Sequence, residues 1–109
     1  MAKLNYYKRG RIMTNIEKAE LKAKLQMIYE HYGKYQFKKC LEELQELIEA
    51  INLYIVSGYS EELKGHVVEE IADVWIMITQ ITMMLNAENE VDEYKKYKVE
   101  RQLGRMALE

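Results

Sequence analysis

The chain has 109 residues, 49% hydrophobic and 31% charged, with no proline, five glycines, one cysteine and a formal net charge of −2. That length fits one domain, and the lone Cys40 excludes an internal disulfide and fits a reducing cytoplasm. No signal peptide is read at the N-terminus, and the longest apolar run, near residues 74–85, is interrupted by Thr and Gln and is too short to span a bilayer.

The lack of proline, the scarcity of glycine and the abundance of Leu, Glu, Lys, Met and Ala predict an all-α fold. Residues 1–13 have weak periodicity and form a basic N-terminal arm carrying Lys3, Lys8, Arg9 and Arg11, expected to be disordered. Residues 14–109 are expected to form a single helical domain. Its first helix starts at a cap on Thr14 or Asn15, with Glu17 near the positive end, and carries Ile16, Leu21, Leu25, Ile28 and Tyr32 before stopping near Gly33.

The second helix opens around Tyr35–Gln36 and runs to about Ser57, with Gly58 as its stop. Its apolar set is Phe37, Cys40, Leu41, Leu44, Leu47, Ile48, Ile51 and Ile55, while Gln36, Lys39, Glu43 and Glu46 form a polar stripe. Residues 58–65 are expected to be a loop, with a short turn capped by Ser60. The third helix is placed from Gly65–His66 to about Asn86, with His66, Glu70, Asp73, Met77 and Gln80 on one stripe. A fourth, capped by Asn89, runs from about Glu90 to Met106. The apolar residues of the second and third helices exceed what two short neighbours can cover, so a homo-oligomer is expected.

Charge is unevenly distributed. Residues 40–93 hold thirteen acids and Lys64 as the only Lys or Arg, whereas Lys95, Lys96, Lys98, Arg101 and Arg105 make the C-terminal stretch basic. An acidic centre with basic flanks suits a metal site with phosphate-binding groups at its rim and argues against a broad nucleic-acid surface. Two strings carry the acids: EELQE at 42–46 and EIAD at 70–73. Glu43 and Glu46 are three apart, as are Glu70 and Asp73, so each pair shares a helix face. Both lie within apolar stretches, where carboxylates are costly unless paired or metal-bound. Four carboxylates from two helices suit Mg²⁺ or Mn²⁺ rather than zinc or copper. A solvated acidic face is the alternative at this point.

The EExxE string followed by ExxD resembles the pattern of MazG-like nucleoside triphosphate pyrophosphohydrolases, within the wider all-α NTP pyrophosphohydrolase group. The stretches YGKYQFKKCLEELQELIEAI, HVVEEIADVWIMITQITMML and YKKYKVERQLGRM extend the resemblance from about residue 32 to residue 106. It implies a four-helix MazG-like bundle completed by oligomerisation, dimer or tetramer, and Mg²⁺-dependent hydrolysis of an NTP or dNTP to nucleoside monophosphate and pyrophosphate. By the match Glu43, Glu46, Glu70 and Asp73 are the metal ligands, and Glu42 touches a further metal or orients the attacking water. Lys98 and Arg101 match the basic tail and are expected to bind phosphate. Lys39, one turn before Glu43, is expected either to reach a phosphate or to pair with Glu43, and Gln36 either to bind base or sugar or to cap the second helix. Tyr32 and Tyr35 are placed to stack on a base, whereas Trp75 points away from the metal stripe, toward core or subunit interface.

Three rivals compete with this enzyme. A di-iron or di-manganese carboxylate bundle for redox chemistry needs Glu-x-x-His motifs, and the residues three after Glu43, Glu46 and Glu70 are Glu46, Glu49 and Asp73. A DNA-binding regulator would rest on the basic arm alone, without a recognisable reading helix. A non-catalytic helical homo-oligomeric interaction protein accounts for the apolar helices but gives the acids no task.

Overall fold

The computed structural model describes residues 12–109, and the arm expected over residues 1–13 lies outside them up to residue 11. The described residues form four helices and no strand: α1 Asn15–Tyr32, α2 Tyr35–Val56, α3 Glu61–Met84 and α4 Glu88–Met106. None is long and apolar enough to cross a membrane.

Local chemistry sets the boundaries. Thr14 caps α1 in a full capping box: its hydroxyl accepts from the Glu17 N–H, and the Glu17 carboxylate accepts from the Thr14 N–H. α2 ends in a Schellman motif, with the Tyr59 N–H donating to the Tyr54 carbonyl and the Gly58 N–H to the Ile55 carbonyl. Gly58 takes the left-handed position at φ 75° that glycine occupies without Cβ strain, and Tyr59 follows at φ 64°. The Tyr59 ring meets Tyr54 edge-on at 5.4 Å and helps hold the turn. α3 ends the same way, with Asn86 at φ 53° and the Ala87 N–H on the Thr82 carbonyl.

Two boundaries differ from the sequence expectation. α3 begins at Glu61, because Ser60 accepts from the Leu63 N–H as a true N-cap and Glu61 and Glu62 sit at the positive helix end. Gly65 lies inside the helix and does not start it. α4 begins at Glu88, two residues before the expected start, and Asn89 lies in its first turn and does not cap it.

α2 and α3 form the main packing pair, with Gln36 meeting Gln80 and Glu43 meeting Glu70, so the two run antiparallel. α1 lies mostly on α3, and α4 touches α3 alone among the described helices. The buried apolar core is small: Leu25 from α1, Cys40 and Ala50 from α2, Val74 and Met77 from α3. The face α2 turns inward carries Gln36, Cys40, Glu43 and Ala50, while Leu41, Ile48, Ile51 and Ile55 of the expected apolar set are exposed. On α3, Val68, Ile71, Trp75 and Ile78 are exposed as well.

Candidate metal centre

The inward polar face of α2 meets the inward face of α3 around three carboxylates. One oxygen each of Glu43, Glu46 and Glu70 lies within 4.8 Å of the other two. The three-residue step brings Glu43 and Glu46 together on α2, and the antiparallel crossing delivers Glu70. Glu43 and Glu70 are each only 9% exposed, whereas Glu46 is open to solvent.

Glu43 Oε2 and Glu70 Oε2 are buried and have no hydrogen-bond partner. Buried polar atoms are nearly always hydrogen-bonded, and a buried carboxylate oxygen without a partner is costly. Both residues belong to the acidic cluster, whose three carboxylates could hold a cation. All the donors are carboxylates, which suits a hard divalent ion such as Mg²⁺ or Mn²⁺.

The electrostatics reflect the crowding. Glu46 is held above the ordinary carboxylate pKa by its side-chain hydrogen bond with Glu43, then by the charges of Glu43 and Glu70, with Lys39 opposing. The Lys39 ammonium lies 3.2 Å from Glu43 Oε1 and 3.6 Å from Glu42 Oε2. Its pKa is raised, first by the hydrogen bond to Glu43 and then by the Glu43 charge. Burial, and then the Glu43 charge, push the Cys40 thiol up, so this cysteine is held as a neutral thiol.

Of the residues expected at the site, Glu43, Glu46 and Glu70 form the mutual group. Asp73 lies one turn beyond Glu70 on α3 and is exposed. Glu42 sits at the rim, paired with Lys39. Gln36 is 4% exposed, and its Nε2 donates to Gln80 Oε1 at 2.7 Å, so that donor is committed within the bundle. Gln80 had no role in the sequence expectation. Its signal was an amide on the Glu70 stripe of α3, level with Gln36 once the helices run antiparallel. Lys98 and Arg101 are exposed on α4, with the Arg101 guanidinium 5.6 Å from the Tyr97 ring centroid. No ion pair ties either to a carboxylate among the described residues.

Tyr32 and Tyr35 flank the turn before α2 with ring centroids 6.2 Å apart. Trp75 is half exposed and lines a cleft of about 310 Å³ with Met13, Lys18, Leu21, Lys22, Leu25 and Thr79. That cleft lies between α1 and α3, and Trp75 follows Glu70 by five helical steps, which turns it well away from that carboxylate.

Comparison of the chain with protein-family models, with curated proteins and with solved structures gives no match.

Proposed function

We propose that the chain is a Mg²⁺-dependent nucleoside triphosphate pyrophosphohydrolase that cleaves an NTP or dNTP between the α- and β-phosphates, releasing nucleoside monophosphate and pyrophosphate. One observation carries the reading: two buried carboxylate oxygens without partners, on Glu43 and Glu70, in one cluster with Glu46. The order and spacing of the EExxE and ExxD strings support it, as does the MazG-like resemblance of the stretches around them.

In this proposal Glu43, Glu46 and Glu70 hold the ion, and Asp73 joins them from the next turn of α3. The bound ion would supply a water of lowered pKa and offset the charge that grows on the phosphates. Glu42, at the rim, accepts a hydrogen bond from the attacking water and orients it. Lys98 and Arg101 give cationic contacts to phosphate oxygens. The Gln36–Gln80 pair keeps α2 and α3 in the register that brings Glu43 to Glu70.

The proposed unit is a homo-oligomer, dimer or tetramer, in which a second copy covers the outward apolar residues of α2 and α3. The same exposed surface favours a second reading, a helical homo-oligomeric interaction protein without catalysis. A panel of NTPs and dNTPs with Mg²⁺ or Mn²⁺, scored for nucleoside monophosphate and pyrophosphate, separates the two. Pyrophosphate release in equal amount to monophosphate supports the enzyme. No release from any nucleotide, together with a melting temperature unmoved by millimolar Mg²⁺, leaves the interaction protein.

A further inference from the structure

We infer that Lys39 is a positioning residue for the metal centre: its ammonium engages one oxygen of Glu43 from the rim and so presents the other to the cation. The inference rests on the metal-site reading above and adds a function for a residue outside the cluster.

Three observations meet at this side chain. The Lys39 Nζ lies 3.2 Å from Glu43 Oε1, while Glu43 Oε2 is buried without a partner. The two oxygens of one carboxylate therefore have separate fates, one tied to an ammonium and one left open. Glu42 Oε2 lies 3.6 Å from the same Nζ and is part of a more exposed side chain, so the ammonium is held between two carboxylates. Lys39 comes one turn before Glu43 on α2, so a rigid helix sets the spacing between clamp and ligand.

The physical gain is preorganisation. A glutamate has three side-chain torsions, and a free one loses that freedom when it binds an ion. Glu43, tied at Oε1, has lost much of it already. Carboxylates that bind metals are commonly fixed by such outer partners, and removing a partner typically weakens binding ten- to a hundredfold. Simple electrostatics predicts the opposite sign. An ammonium this close to a cation site repels the cation, so deleting it would tighten binding if charge were its only effect.

The test is Mn²⁺ binding by the full chain without nucleotide, followed by the electron paramagnetic resonance of free Mn²⁺. Wild type, Lys39→Met, Lys39→Arg and Glu43→Gln are compared, with circular dichroism and metal-free melts as controls for folding. Lys39→Met is expected to bind at least about tenfold more weakly, and Lys39→Arg, which keeps a charged donor, to recover most of the loss. Should Lys39→Met fail to fold, Lys39→Ala, which also lacks a donor, makes the same comparison. Unchanged or tighter binding in a folded Lys39→Met or Lys39→Ala protein overturns the positioning role and leaves the metal site standing. Absence of saturable Mn²⁺ binding in the wild type overturns the metal-site reading itself, and the positioning role with it.

Discussion

Gln36 and Gln80, 44 positions apart in the chain, meet through a 2.7 Å hydrogen bond between α2 and α3, and Gln80 is 1% exposed. A buried amide pair fixes register in a way apolar contacts do not, because a slip of one residue strands both amides. Replacing Gln80 by Leu is expected to leave the Gln36 amide unsatisfied and to cost about 1–3 kcal/mol. The double replacement of Gln36 and Gln80 by Leu should recover part of that loss. Urea unfolding of both single variants and the double closes the cycle, and additive losses would show that the two amides are not coupled.

Glu70→Gln removes one of three crowded carboxylates. In chelator the variant is expected to melt no lower than wild type, since mutual repulsion falls. Wild type should gain melting temperature with millimolar Mg²⁺ through preferential binding to the folded state, and the variant should gain less. Glu46→Ala and Asp73→Ala are expected to fold yet to release no pyrophosphate. Full turnover in either would remove that residue from the site.

The raised pKa of Glu46 gives a pH dependence of definite sign. Between the ordinary glutamate value of 4.5 and the raised value, the folded chain binds the Glu46 proton more tightly than the unfolded chain does. Its contribution is therefore fully present below the ordinary value and is lost as pH rises through the raised one. In metal-free buffer the stability of wild type should fall relative to Glu46→Gln across that window and run parallel to it above. Urea melts at a series of pH values read this difference, and parallel curves throughout would contradict it.

The four helices, the Thr14 cap and the Gly58 stop were legible because their signals are local, whereas Asn89, expected to cap α4, lies in its first turn. Thr14 with Glu17, and Gly58 after a long apolar stretch, each act within a few residues. Gly65 misled because glycine reads as a loop, whereas Ser60 and the two acids after it stabilise a helix that simply runs through it. The acids were legible as two pairs, and three of the four came together. Less legible was which side of α2 faces inward. Periodicity separates an apolar from a polar stripe, and hydrophobic burial favours the apolar one. Within the chain, however, the inward face carries Gln36 and Glu43 while Leu41 and Ile48 point out. The inward polar stripe is selected by pairing partners on α3, Gln80 and Glu70, which one helix read alone cannot reveal.

That outward face leads to a prediction about assembly. Ile48 is 58% exposed on α2, with Leu41 one face-step before it and Ile55 beyond. Sedimentation at micromolar concentration should find wild type as a dimer or larger species. Ile48→Lys is expected to shift it toward monomer while keeping its helical circular dichroism. A wild-type monomer at that concentration would contradict the assembly.

α4 spans nineteen residues and buries none of them within its own chain. Most helical stability in proteins comes from tertiary packing, and α4 packs against α3 alone among the described helices. Its surface ion pair, Lys95 with Asp92 at 3.0 Å, adds only a few tenths of a kcal/mol. The backbone amides of α4 should therefore exchange with solvent faster than those of α2 and α3, and their protection should depend on protein concentration where that of the α2–α3 pair does not. In the proposed homo-oligomer, folding of the last helix and encounter with a second copy would become one event, and dilution alone would loosen the helix that carries Lys98 and Arg101.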